Sequence, residues 1–318
     1  ITKRSSVPVG TVPVYMAFAD LGISDVSEDS MLKAIERHIK LGADFLTIHS
    51  AILREGASFA SRRKLPVVSR GGCFLASWML SNGKENPLYT NFDYILELLR
   101  SSDVAISIGD ALRPGCLSDA SDKAQLHELK VQGKLVKRAH KMGVAAICEG
   151  PGHMPLSHIA KNVRLQKRIC SNAPYYVLGP LTTDIGAGYD HITAAIGGAI
   201  AAMAGADFLC VVTPTEHLSL PTTEDIIDGV VAAKLAAHSA DIEKFKDRRA
   251  DDALSDARAA LDWGRQFSLS INPKKARSIY GKTATKTQAC SMCGNYCAIK
   301  IMKENAKAFS GTSRKRRR

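Results

Sequence analysis

The feature that most constrains this chain is an alternation. Short apolar runs take turns with longer stretches of helical periodicity, the pattern of successive βαβ units. Runs at 12–15, 44–49, 66–69, 104–109, 144–149, 176–179 and 208–213 are predicted strands. Their interiors are Val, Ile, Leu, Phe and Ala with few polar interruptions, which suits parallel strands buried on both faces. Helices are predicted between them over 28–41, 91–101, 120–142 and 193–204, and after Pro221 over 223–242 and 251–267. No G-x-G-x-x-G follows a predicted strand, which argues against an open doubly wound sheet. The expected fold is therefore α/β, a (β/α)8 TIM-type barrel followed by a small helical region and a mobile C-terminal cysteine tail. The eighth strand is expected in an N-terminal segment preceding Ile1, since the chain does not begin with Met. The expected domains are a barrel over 1–245, a helical appendage over 246–271, and a tether with cysteine motif and basic tail over 272–318.

With 318 residues and 45% hydrophobic content, the chain can bury a sizeable core, and bulk disorder is excluded. The most apolar stretch, 192–212, is interrupted by Gly197, Gly198, Gly205 and Asp207, so no membrane span is expected. The opening ITKRSSVPVG has no signal-peptide core, and a cytoplasmic location is expected. Part of the net charge of +12 sits in the final SRKRRR, which reads as a solvated tail; no nucleic-acid motif accompanies it. Eight cysteines without a secretory signal do not suit a disulfide framework, and the cluster at Cys290, Cys293 and Cys297 favours metal or iron–sulfur ligation.

That cluster, CSMCGNYC, is C-x2-C-x3-C. Three thiolates can hold three irons of a [4Fe–4S] cluster and leave the fourth open to S-adenosylmethionine (SAM). A zinc site would need a fourth ligand, and no histidine follows His238. The spacing differs from the C-x3-C-x2-C usual in radical SAM enzymes.

Chemically useful residues recur at predicted strand ends: His49, then Ser69-Arg70-Gly71-Gly72, then Asp110 and Arg113 in GDALRPG, Glu149 in EGPGH, and Tyr176. In a parallel barrel that end is the active face. Arginine forks and glycine-turn amides suit a phosphate, with Arg70 the better candidate, because Asp110 and Arg113 can instead pair with each other. His153 and His217 also follow strand ends; they suit a divalent metal with open positions, or loop capping by hydrogen bonds. Tyr189-Asp190-His191 can position a substrate or begin the following helix, with Asp190 near its N-cap.

These blocks carry a resemblance. SVPVGTVPVY, TIHS, VSRGG, GDALRPG, EGPGHMPL, YYVLGPLTTDIGAGYDHITAAIGGA, LCVVTPTEHLSLP and CSMCGNYC, in this order, resemble the ThiC family of phosphomethylpyrimidine synthases, from Ser6 to Lys303. The resemblance implies a non-standard radical SAM lyase on a (β/α)8 barrel. It would rearrange 5-aminoimidazole ribotide into 4-amino-5-hydroxymethyl-2-methylpyrimidine phosphate for thiamine biosynthesis, releasing formate and carbon monoxide. It implies a [4Fe–4S] cluster on Cys290, Cys293 and Cys297, and Zn2+ on His153 and His217. Ribotide contacts are implied at Tyr15, His49, Ser69, Arg70, Gly71, Asp110, Arg113, Glu149 and Tyr176, with Glu149 and Cys210 assisting the rearrangement. A homodimer with the cysteine tail over the partner's active site is implied, as is an electron donor such as flavodoxin or ferredoxin. The chain departs from the family in three places: the shorter second cysteine spacing, GDALRPG for GDGLRPG with IGAGYDHI for IAPGYDHI, and no N-terminal asparagine segment. A sister enzyme making 5-hydroxybenzimidazole from the same substrate is one alternative; a metal-dependent barrel lyase or hydrolase with a structural metal knuckle is another.

Overall fold

The computed structural model describes residues 2–19, 22–282 and 289–312. The chain divides into two compact units, Ile1–Lys244 and Phe245–Arg318. The first is built on six parallel strands, β1 (Gly10–Thr11), β2 (Phe45–Ile48), β3 (Ala105–Ile108), β4 (Ala146–Glu149), β5 (Tyr175–Val177) and β6 (Phe208–Leu209), lying side by side in chain order. Each crossover steps one place in the same direction, as in a barrel wall; a doubly wound sheet reverses direction midway. β1 and β6 form the edges, so the described sheet is an open arc of six strands rather than the predicted closed ring of eight.

Two predicted strands are corrected. Residues 12–15 are not a strand: β1 ends at Thr11, and Pro13 leads into the short helix α1 (Val14–Ala17). Residues 66–69 have no place in the sheet, because β2 pairs directly with β3, Phe45 opposite Ala105 through Ile48 opposite Ile108. That segment instead leads into α4 (below), which Ser69 caps by accepting the Gly72 N–H at 3.2 Å.

The crossovers carry α2 (Glu28–Lys40), α3 (Arg54–Ala60), α4 (Arg70–Asn82), α5 (Pro87–Thr90), α6 (Phe92–Ser101), α7 (Lys123–Lys141), α8 (Leu156–Ile169) and α9 (Asp190–Ala204); α10 (Thr223–Phe245) follows β6. Local chemistry sets their ends. Helix α2 starts at Ser27, which accepts the Ser30 N–H at 3.0 Å, carries Glu28 and Asp29 in its first turn, and buries Met31, Ala34 and Ile35 at helical spacing. Helix α7 starts at Asp122, which accepts the Gln125 N–H at 2.9 Å. The main core lies between helices and sheet, with Trp78, Phe92, Leu46, Ile48, Ile95 and Leu99 among its largest buried side chains, and a small separate cluster gathers Leu181, Ala194 and Val212. Among the described residues no helix is long and apolar enough to cross a membrane.

The second unit holds α11 (Arg249–Ala260), α12 (Trp263–Leu269), α13 (Pro273–Gly281) and α14 (Ala298–Thr312). The helix predicted over 251–267 is two helices, broken at Leu261, whose φ of 57° is left-handed. Part of the predicted tether is α13, packed through Tyr280 against Trp263 at 4.5 Å and Phe267 at 5.4 Å between ring centroids. The basic run 313–318 and the tether residues 283–288 lie outside the described residues.

Candidate active site

The ends of the strands and the turns after them enclose a cavity of about 320 Å3. Strand β2 contributes Thr47, with His49 just beyond it. The loop after β3 contributes Asp110 and Arg113, β4 ends in Glu149, β5 contributes Tyr176, and Cys210 follows β6. Tyr15 of α1 and Ser69 complete the polar wall. Seven of the nine expected ribotide contacts therefore share one cavity. The other two, Arg70 and Gly71, do not line it. Arg70 is exposed, its guanidinium 5.8 Å from the Tyr15 ring centroid; Gly71 backs onto His49.

His49 is seated between two glycines. A Cβ at Gly71 would come within 2.7 Å of its Cε1, and one at Gly109 within 2.9 Å of its Cδ2. The Ser69 hydroxyl, which accepts the Gly72 N–H, lies within hydrogen-bond reach of His49 Nε2 at 3.2 Å. Burial, helped by Arg113, pulls the imidazole down to about 3, so the ring is neutral. Its Nδ1 is buried with no hydrogen-bond partner among the described residues.

Glu149 is the best-held acid in the cavity. Its Oε1 accepts the Thr47 hydroxyl at 2.8 Å and the Ser107 hydroxyl at 2.7 Å. Burial and the nearby Asp110 nevertheless push the carboxyl up to about 7, against the pull of those hydroxyls and Arg113. Neither Thr47 nor Ser107 is singled out by sequence reasoning, yet a signal existed: they are register partners, the hydroxyl-bearing pair within the β2–β3 ladder. Arg113 Nη1 donates to Asp110 Oδ1 at 2.9 Å, so the pairing weighed from sequence is present. Burial raises the Asp110 carboxyl while Arg113 pulls the other way. Burial also raises the Tyr176 hydroxyl and its neighbour, the Cys210 thiol, so both stay protonated near neutrality.

His153 and His217 lie outside that cavity wall and face each other, Nε2 to Nε2, at 3.4 Å. His153 Nδ1 is 2.8 Å from Asp184 Oδ1, and His217 Nδ1 is 3.0 Å from Asp190 Oδ2. Carboxylates only accept, so each Nδ1 is the donor and both Nε2 atoms face the gap. Two imidazoles on one tetrahedral zinc, at about 2.0–2.1 Å each, would hold their nitrogens about 3.3 Å apart, so the pair fits such an ion, with carboxylates orienting both rings. Asp190, expected near a helix N-cap, makes no cap bond and turns its carboxylate to His217 instead. Asp184 is a partner that sequence reasoning missed.

In the second unit, Cys290, Cys293 and Cys297 are free thiols. The Gly294 N–H bonds to the Cys290 carbonyl at 2.9 Å, Gly294 has φ 50°, and the Cys297 carbonyl accepts from Ile301 as α14 begins. Among the described residues no three His, Cys, Asp or Glu side chains converge as metal ligands. The donor set itself, three thiols in eight residues around a tight turn, is the kind that takes an iron–sulfur cluster rather than a hard cation.

A family pattern described as the Radical SAM ThiC family matches residues 1–304. The chain belongs to the radical SAM ThiC family. A phosphomethylpyrimidine synthase from Methanopyrus kandleri is 54% identical over 314 residues, covering 96% of this chain and 73% of the relative. Proteins of the same name from Archaeoglobus fulgidus and Caldanaerobacter subterraneus are 52% and 53% identical, each again covering 96% of this chain and 73% of the relative. Membership of the radical SAM ThiC family implies SAM and an iron–sulfur cluster as cofactors.

Proposed function

We propose that this chain is a phosphomethylpyrimidine synthase, rearranging 5-aminoimidazole ribotide into 4-amino-5-hydroxymethyl-2-methylpyrimidine phosphate for thiamine biosynthesis. The observation that carries this reading is the shared cavity: Tyr15, His49, Ser69, Asp110, Arg113, Glu149 and Tyr176 line it together with Cys210, in a chain more than half identical to enzymes of that name.

Cys290, Cys293 and Cys297 would hold a [4Fe–4S] cluster, and when bound that cluster supplies the single electron that cleaves SAM to an adenosyl radical. The rest of the work falls to the cavity. Arg113, fixed by Asp110, and Arg70, stacked over Tyr15, offer positive charge for the ribotide phosphate. Neutral His49 brings no net charge to the wall, which suits an uncharged part of the ligand. Glu149, near half-protonated at pH 7, can accept and return a proton as bonds to carbon are remade. Val12, Phe45 and the Tyr176 ring keep the reacting end dry. Cys210 remains a thiol and keeps its S–H beside the reacting carbon skeleton. His153 and His217 would hold Zn2+ outside this wall.

The same reading extends to a closed barrel, a homodimer, a flavodoxin- or ferredoxin-like donor and a cytoplasmic setting, which suits eight free cysteines. The deciding experiment is anaerobic reconstitution with iron, sulfide and reductant, followed by incubation with SAM and the ribotide. The pyrimidine phosphate by mass spectrometry is the expected product. 5-Hydroxybenzimidazole would assign the chain to the sister activity, and SAM left intact by an assembled cluster would overturn the radical reading.

A further inference from the structure

Beside the substrate cavity lies a much smaller one of about 10 Å3, room for about one water. Asp110, Arg113, Glu149 and Gly150 belong to both walls. The far wall of the small cavity carries Glu128 of α7, which is 3% exposed. Glu128 Oε2 accepts the Leu112 N–H at 2.8 Å, anchoring the loop that holds Asp110 and Arg113. Its Oε1 is buried and has no hydrogen-bond partner among the described residues.

An ionised carboxylate in that position would have no protein donor for Oε1, which favours the neutral acid. Glu128 lines the small cavity, and a neutral acid can carry its proton on Oε1. The surrounding charges agree. Asp110, Glu149, Tyr175, Arg113 and Arg63 are the titratable groups around Glu128. Of the two cations, Arg113 is bonded to Asp110 and Arg63 to Asp122. Burial, with Asp110 adding to it, pushes the Glu128 carboxyl well above the usual carboxylate range.

We infer that Glu128 is a positioning residue for the reaction: a neutral acid that shares its proton, through one water in the small cavity, with Asp110 and Glu149. This rests on the larger cavity being the ribotide site. In the transfer the Glu128 O–H bond breaks as the water takes that proton. One of the water's own O–H bonds then breaks to protonate the Asp110 or Glu149 carboxylate. No electrons change hands, and the reverse transfer restores Glu128.

The test begins with infrared spectroscopy of the full ligand-free chain at pH 9, where Glu149, titrating at about 7, is ionised. A protonated carboxyl C=O band is expected to persist, to shift promptly in D2O because its proton exchanges through the cavity, and to vanish in Glu128→Gln. Absence of the band, a band that does not exchange, or a band surviving in Glu128→Gln overturns the inference. Should that variant not fold, presence and exchange of the band in the unsubstituted chain decide. In turnover, the amide keeps an acceptor for Leu112 but cannot pass a proton, so KM should hold while kcat falls about tenfold or more with an altered pH profile. An unchanged kcat and pH profile would reduce Glu128 to a loop anchor. The infrared outcomes stand whichever product the enzyme makes, so this inference and the assigned activity fail separately.

Discussion

His153 and His217 point their Nε2 atoms at one another across 3.4 Å, while Asp184 and Asp190 occupy both Nδ1 positions. Such a pair suits a bound cation. The chain is therefore expected to bind one zinc ion outside the cysteine segment, and His153→Ala should abolish that binding. Asp184→Asn, which removes the charge behind the ring, should weaken it about 10- to 100-fold. Calorimetric titration of the chain with its three C-terminal cysteines substituted would measure this, and zinc bound equally well by His153→Ala would refute it.

Glu149 gives a pH signature opposite in sign to that of a salt-bridged acid. Its carboxyl titrates at about 7 in the folded chain against an ordinary value of 4.5. The folded state holds the proton more tightly than the unfolded state does, so this group's contribution to stability falls as pH rises from about 4.5 to about 7. Glu149→Gln removes that penalty. It should raise stability at pH 8 by about 3 kcal/mol and change it little at pH 4.5, while turnover is lost. Chemical denaturation at the two pH values checks the first claim, and equal effects at both would contradict it.

Gly71 has no room for a side chain on its His49 side. Gly71→Ala should push the imidazole out of register with Ser69, costing about 1–3 kcal/mol of stability and lowering ribotide affinity at least tenfold. A structure of the variant with His49 unmoved and affinity intact would show that the contact yields without consequence.

Cys293 is exposed and lies outside the unit that carries the sheet. Cys293→Ala should lose iron and sulfide after anaerobic reconstitution and should no longer cleave SAM. Its far-ultraviolet circular dichroism should match that of the parent chain; a collapse of helical signal would mean that the thiol supports folding instead.

Much of the fold was readable because parallel strands buried on both faces are near-continuous apolar runs: β2, β3, β4, β5 and β6 all fall within predicted strands or within one residue of them. The failures have local causes. At 12–15 a short apolar run cannot by itself distinguish strand from helix, and Pro13 favours the latter. At 70–82 the Arg-Gly-Gly opening disguised a helix that Ser69 initiates. In the site, residues at strand ends were legible because their chemistry has no structural purpose there. Thr47 and Ser107 were not, because a hydroxyl inside a strand has an ordinary reading until Glu149 is seen beside it. The histidine pair could be nominated from their places just past predicted strand ends, but Asp184 could not: it lies 31 residues from His153, and only the folded loop unites them.

The one-place-at-a-time order of the six strands bears on how the molecule is made. Every strand finds its neighbour one crossover earlier in the chain, so the sheet can grow unit by unit as the polypeptide leaves the ribosome, each new strand docking on an edge already in place. The cavity wall, drawing residues from every strand exit, is then the last feature to be completed.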